Sequence, residues 1–277
     1  MSNASIVTND NKQIWIARSR RFFRWLTMPH VILSIIMLAV MFYMVIIPLY
    51  RMIVTTLTVQ EMDLRVLRDA ELGDFTFYHW IRMLTGQIAR IMTYEPLLHS
   101  LTISLGATAL ALTIGSLMAW LVVRTDVPGR EIIHILATVP YIMPSWTIAM
   151  AWIVLFKNRT SGGTPGLLEF ITNSPTPDWL AYGPFPIICS SGLHYYTFFF
   201  LFVSAALLSI DSSLEEAGEL AGAGRWRIMR KITFPLVIPA IASGFIMTFS
   251  KAMGTFGGPN VLGLPIRYYT LSTMLKS

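Results

Sequence analysis

Five apolar stretches, each long enough to cross a bilayer, constrain this chain more than any other feature. Crossing takes about 20 apolar residues in a helix. The runs are Val31 to Tyr50, Leu97 to Val123, Ile132 to Phe156, Pro184 to Ser209 and Pro235 to Phe256. In hydrocarbon the backbone must satisfy its own N–H and C=O groups, so such runs predict helices. The expected fold class is all-α and polytopic. Composition agrees, since charged residues are only 13% of the chain, against about a quarter in a soluble domain. The first run is too long for the core of a cleaved leader, and no small-x-small site follows it. It reads as an uncleaved anchor.

Charge in the short loops sets the expected orientation. Arg18, Arg20, Arg21 and Arg24 precede the first run, Arg124 and Arg130 follow the second, and Arg225, Arg227, Arg230 and Lys231 follow the fourth. All fall on one side, which the positive-inside rule makes cytoplasmic. Residues 1–30 are then a cytoplasmic tail, 31–50 an anchor, 51–96 an extracytoplasmic segment of mixed charge, and 97–277 the transmembrane core. The loop Lys157 to Gly183, rich in Gly, Pro, Thr and Ser, reads as irregular. A net charge of +6 reads as basic loops facing acidic membrane lipids, not as nucleic-acid binding. The single cysteine, Cys189, excludes an internal disulfide and a cysteine metal site. It reads as a small buried apolar residue. There is no G-x-x-x-x-G-K-[ST], no HExxH, no Cys/His cluster and no Ser/His/Asp set around an aqueous pocket. No catalytic, cofactor-binding or metal-ligating residue is expected.

The polar segment Leu214 to Pro235, LEEAGELAGAGRWRIMRKITFP, separates the last two runs. Ser213-x-x-Glu216 fits a capping box, with Ser212-x-x-Glu215 as the adjacent register. Leu214, Ala217, Leu220 and Ala221 recur at helical spacing and make a narrow apolar stripe. Gly222 and Gly224 permit a sharp turn. A basic stretch follows, and Pro235 suits the first turn of the next helix. The expectation is two short helices at an angle, with small residues exposed at the bend.

The spacing in this segment is Glu216-Ala217-Gly218, three residues, Gly222, nine residues, then Ile232-x-Phe234-Pro235. It resembles the cytoplasmic loop of ABC-importer permeases, whose pattern is EAA, x3, G, x9, I-x-L-P. Gly218 stands for the second Ala and Phe234 for Leu. The resemblance runs from about Glu95 to the C-terminus and is to the binding-protein-dependent permease domain, with a MetI-like helical core. His99 to Arg130 resembles that family's opening helix and first cytoplasmic turn. Val139 to Phe156 resembles the Pro-x-x-x-Pro helix of the ferric-iron branch. Gly254 to Thr273 resembles that branch's FGTPxxLG segment, with a glycine in place of the threonine. Phosphonate, thiamine and polyamine permeases share much of this pattern.

The resemblance implies a transport subunit, not an enzyme, with ATP used by a partner. Two permease domains would form the pathway, as a homodimer, a heterodimer or two halves of one chain. Two ATPase subunits would dock on the coupling loop, at Leu214, Glu215, Glu216, Ala217, Gly218, Leu220, Gly222, Gly224, Ile232 and Pro235. An extracytoplasmic solute-binding protein would deliver the cargo. The family normally has one more helix after the fifth run, so a fragment or the first half of a fused permease is expected. A secondary transporter and a membrane scaffold are the readings from other classes.

Polar groups inside the runs are candidates for the pathway. Lys251, near the outer end of the fifth run, lines it for an anionic or chelated cargo or snorkels to the interface. His194, Tyr195 and Tyr196 sit mid-run in the fourth, where an interhelical hydrogen bond competes with cargo contact. His99 and His134, near run ends, are expected at the interface. Pro140 and Pro144 predict a kinked third helix. Asn158-Arg159-Thr160 matches a glycosylation sequon, without meaning in a bacterial-type membrane protein.

Overall fold

The computed structural model describes residues 28–276, apart from Arg68, Gln87, Thr160 and Ser161. The arginines of the expected cytoplasmic tail and Thr160 of the sequon lie outside the described residues. Contacts divide the chain into two compact units, Met1–Thr85 and Gly86–Ser277.

The first unit holds helix α1, Pro29–Thr56, in which Val31 alone is buried. Its apolar residues face outward on every side, as a helix meeting lipid does. It continues six residues beyond the apolar run, to Thr56. The stretch after it is not a plain loop. Thr58 and Phe75 pair in an isolated antiparallel bridge, and helix α2 spans Tyr78–Thr85. Asp63, buried, accepts the Gln60 N–H and pairs with His79 Nε2 at 3.0 Å.

The second unit is a helical bundle. Helix α3, Glu95–Arg124, is preceded by a π-turn, Arg90–Tyr94. Short helices α4 (Arg130–Leu136) and α5 (Val139–Ile142) lead to α6, Ser145–Phe156. The segment expected to be irregular carries two short helices, α7 (Leu167–Thr172) and α8 (Asp178–Ala181). Next come α9, Pro184–Ser209, and α10, Ser212–Leu220. Helix α11 (Arg225–Ile228) passes through a π-turn, Met229–Thr233, into α12, Phe234–Met253. Helices α13 (Gly257–Leu262) and α14 (Leu271–Met274) close the described chain.

Helices α3, α9 and α12 form the core. Gly106 faces Ile188, Gly192 faces Leu110 and Gly115 faces Tyr196, so α3 and α9 advance together. Gly244 of α12 faces Phe199, and the Tyr195 hydroxyl reaches the Lys251 carbonyl, so α12 runs the other way. This is the alternation that successive crossings require. Small residues let the backbones approach where apolar burial supplies no drive in lipid. A Cβ on Gly115 would lie 2.4 Å from the Tyr196 carbonyl oxygen, so no other residue fits there.

The third apolar run is not one kinked helix. The stretches Arg130–Ile142 and Ser145–Phe156 meet at 97°. Pro144 explains the break, because it has no N–H for the Pro140 carbonyl. Met143, before the proline, is extended, with φ −73 and ψ 144. Two residues of α9 take over the stranded carbonyls. His194 Nδ1–H donates to Pro140 O at 2.9 Å, and Thr197 Oγ1 donates to Ala137 O at 2.9 Å.

After α12 the chain folds back onto the start of α3. The His99 ring stacks on Tyr268, with centroids 3.9 Å apart, and its Nδ1–H meets Tyr269 O at 2.8 Å. The Leu271 N–H donates to Ser100 Oγ at 2.9 Å. His99 thereby anchors this returning segment. His134 packs against Phe200, with ring centroids 5.1 Å apart.

Candidate functional site

The cap of helix α10 lies one residue before the Ser212 box and two before the Ser213 box. Asp211 is the cap, and its Oδ1 accepts the Ser213 N–H at 2.9 Å. That backbone bond, with a second from the Ser213 hydroxyl, holds the Asp211 carboxyl below the ordinary aspartate range. Glu215 does not reach back to the helix start because its carboxylate is engaged elsewhere. Thr233 Oγ1 donates to Glu215 Oε1 at 2.8 Å, and Arg124 Nη2 approaches the same oxygen at 3.1 Å.

The helix ends in a Schellman arrangement. The Ala223 N–H reaches Gly218 O at 3.0 Å and the Gly222 N–H reaches Glu219 O at 2.9 Å. Gly222 has φ +75, which explains its identity, since a Cβ there would meet nothing within 4 Å. Gly224 precedes the first turn of α11, where Arg227 N–H bonds its carbonyl at 2.8 Å.

The second arm of this elbow differs from the expected separate short helix. Arg225 to Met253 is one helical stretch of 29 residues. Its π-turn lies just before Pro235, where a proline removes one N–H and crowds the preceding turn. The elbow is therefore rigidly continuous with a membrane-length helix.

Gly218 faces the second arm. A Cβ on it would lie 3.1 Å from Ile228 Cγ1 and 3.3 Å from Ile232 Cδ1. Glu215 and Gly218 thus make the inner face of α10, and Ile232 completes the contact. The apolar stripe points the opposite way. Leu214 is 48% exposed and Leu220 91%, with Ala217 and Glu216 also exposed. Trp226, 70% exposed on the second arm, lines the crevice beside Arg124 and Glu215. Pro235 is exposed on the same helix. Of the ten residues that the sequence suggested for a coupling loop, nine lie on this elbow and Pro235 lies in the first turn of α12. Sequence reasoning missed Arg124 and Thr233. Arg124 was read only as a loop charge, and nothing in the spacing distinguishes Thr233.

The pathway candidates do not form one open surface here. His194 and Tyr195 are buried among α5, α9 and α12. Lys251 is exposed on the last turn of α12, at the end far from the elbow. Among the described residues no group of three His, Cys, Asp or Glu is placed to hold a metal ion.

Membrane-length helices, packed as a bundle and joined at one end by an elbow, define a polytopic helical membrane protein. The chain belongs to the family of binding-protein-dependent transport system inner membrane components, whose profile matches residues 111–275. It is 27% identical over 187 residues to the molybdenum transport system permease protein ModB of Escherichia coli K12, covering 64% of this chain and 79% of that one. It is 33% identical over 181 residues to the sulfate transport system permease protein CysW of the same strain, covering 63% and 57%. The fold matches a crystal structure of a bacterial ABC transporter that imports the acidic polysaccharide alginate. The TM-score is 0.59 at 16% identity, over 92% of this chain and 82% of that one. The chain is thus the permease subunit of an ABC importer in the inner membrane, and ATP hydrolysis belongs to a partner. None of these relatives names ferric iron, which the branch motifs led us to expect.

Proposed function

We propose that the elbow Ser212 to Thr233 is the surface on which the ATPase docks, and that the imported cargo is an anion. The observation that carries the first part is the outward apolar stripe Leu214, Ala217 and Leu220 on a helix whose partner arm is continuous with α12. A soluble surface helix normally buries such a stripe against its own core. Here the inner face belongs to Glu215 and Gly218, and the stripe is left for a partner. Two permease domains enclose the pathway, with lipid around them, and ATP binding by the docked subunits biases their two-state core. A solute-binding protein delivers cargo at the far end. Residues 1–30 and the elbow are cytoplasmic, 51–96 lie outside, and 97–277 are the permease core.

The cargo reading rests on the names of the relatives, which specify molybdate, tungstate and sulfate, and on Lys251 exposed at the far end. An intramembrane cation normally faces a cavity or partner. His194 bonds the Pro140 carbonyl at the break in the third run, and the Tyr195 hydroxyl bonds the Lys251 carbonyl. Ferric iron rests on the Pro140–Pro144 and Phe256–Gly263 motifs alone.

The test replaces Cys189 by Ser, introduces Ala217→Cys, and crosslinks native membranes with and without ATP. A P-loop ATPase whose crosslink yield changes with nucleotide is the expected product. Crosslinks to other proteins only, in membranes where the chain is inserted, refute the docking surface. Uptake of labelled sulfate, molybdate and ferric citrate by the same strain, with and without the gene, then decides the cargo.

A further inference from the structure

Glu215 joins three elements through a single oxygen. It sits on the inner face of α10, Arg124 is the last residue of α3, and Thr233 ends the π-turn before α12. Helix α10 is adjacent in sequence to α9 and to the second arm, but not to α3. The Arg124 guanidinium therefore gives α3 a hold on the elbow that the chain path does not supply.

The chemistry of the contact suits a moving joint. The side chains of Arg124 and Glu215 are 18% and 27% exposed, so the pair is neither dry nor freely solvated. Arg124 Nη2 lies close to the carboxylate without an aligned hydrogen bond, and Nε has no partner. The attraction is then mainly charge, which falls slowly with distance and survives sliding in a way a directed bond does not. A guanidinium this enclosed also needs an anion, because leaving it uncompensated is costly. The Thr233 hydroxyl, on a residue 2% exposed, fixes the carboxylate on the other side. Two further acids, Asp126 and Glu219, line the same 620 Å3 crevice as Arg124 and Glu215. Glu219 is one helical turn along from Glu215.

We propose that Arg124 and Thr233 are positioning residues for coupling. Through Glu215 they carry displacement of the elbow into α3 and α12 together, so both move as the ATPase closes. The proposal rests on α10 being the ATPase-docking surface. Because α3 packs on α9 through glycines with no spare room, motion given to α3 passes to the core.

The test uses the complex purified from native membranes with its ATPase, in a Cys189→Ser, Lys251→Cys background. Labelling of Lys251→Cys by a membrane-impermeant maleimide is timed with and without ATP plus vanadate. In the protein with native Arg124 the rate should change about tenfold, the scale of a coupling between distant sites. Arg124→Gln should keep the ATPase in the complex but bring that ratio to about one, while Arg124→Lys retains most of it. The charge exchange Arg124→Glu with Glu215→Arg should restore part of the response. Thr233→Val, nearly isosteric, should reduce it less, and decides the matter if Arg124→Gln does not insert. A full response in both Arg124→Gln and Thr233→Val overturns the proposal, as does no response with native Arg124 and the ATPase bound. Loss of the ATPase from an inserted Arg124→Gln complex also overturns it, making Arg124 part of the docking surface. Absence of an ATPase from the complex with native Arg124 is a separate failure, that of the docking reading itself.

Discussion

The elbow after α9 and the break between α5 and α6 are both places where helical hydrogen bonding fails, and they repair it differently. At the elbow the repair is local. Asp211 caps one end, and Gly222 at φ +75 turns the other so that Gly218 and Glu219 carbonyls find N–H groups within five residues. At the break the repair is distant. The carbonyls of Ala137 and Pro140 are met by Thr197 and His194, which lie 60 and 54 residues away in sequence. The difference follows from surroundings. A local cap suffices where water reaches the remaining groups. In the bundle interior every stranded carbonyl needs a protein partner. One site can therefore present a surface to a partner without disturbing the core, while the other is part of the core.

The largest effect should come from breaking the distant repair. His194→Ala should cost about 1–3 kcal/mol, the penalty for leaving the Pro140 carbonyl unpaired, read as a lower melting temperature in detergent. The mechanism is sharpened by Pro144→Ala, which returns an N–H to that carbonyl. In a double-mutant cycle the cost of His194→Ala should shrink in the Pro144→Ala background. Equal costs in both backgrounds would show that His194 acts by packing alone.

Next comes the local repair. Gly222→Ala should cost about 1 kcal/mol through its positive φ, while Gly222→Asn, which tolerates that conformation, should cost less. A Cβ there would meet nothing within 4 Å, so insertion should be normal. Gly222→Asp adds charge at a surface proposed to enter the ATPase and should abolish uptake. Transport at the normal rate by Gly222→Asp would count against docking at the bend, whatever its effect on stability.

Gly218→Ala should matter less. Its Cβ would crowd the ends of two isoleucine side chains by a few tenths of an ångström, and the family pattern carries Ala there. A stability change below about 1 kcal/mol is expected.

The smallest effect concerns pH. The Asp211 carboxyl is held below its ordinary value by the Ser213 bonds. Its contribution to α10 is therefore full above the ordinary aspartate pKa, about 3.9, and is lost as pH falls through the lowered folded value. Asp211→Asn, which still caps, should remove this acid sensitivity. Maleimide reactivity of Ala217→Cys, corrected for thiolate fraction, would report the fraying.

Much of the elbow was legible because its signals are local. The turn glycine, the charged arms and the spacing from Glu216 to Pro235 lie within one segment, and their meaning needs no distant residue. Even there the cap was misplaced by a residue or two. Ser212 and Ser213 both fit the pattern, yet Asp211 is the cap, and Glu215, engaged with Thr233 and Arg124, does not complete the Ser212 box. The third apolar run shows the opposite limit. Pro140 and Pro144 announce a bend, but its 97° depends on α9 supplying His194 and Thr197.

What the amino-acid sequence determined by itself is whatever follows from solvent and chain stiffness. Long apolar runs must be helices in lipid, and Gly222 must turn. The direction in which α10 shows its apolar stripe was decided only by tertiary structure. A stripe at helical spacing reads the same whether it faces the core or a partner. The choice here was made by Ile228 and Ile232 closing on Gly218, and by one carboxylate drawn inward between Arg124 and Thr233.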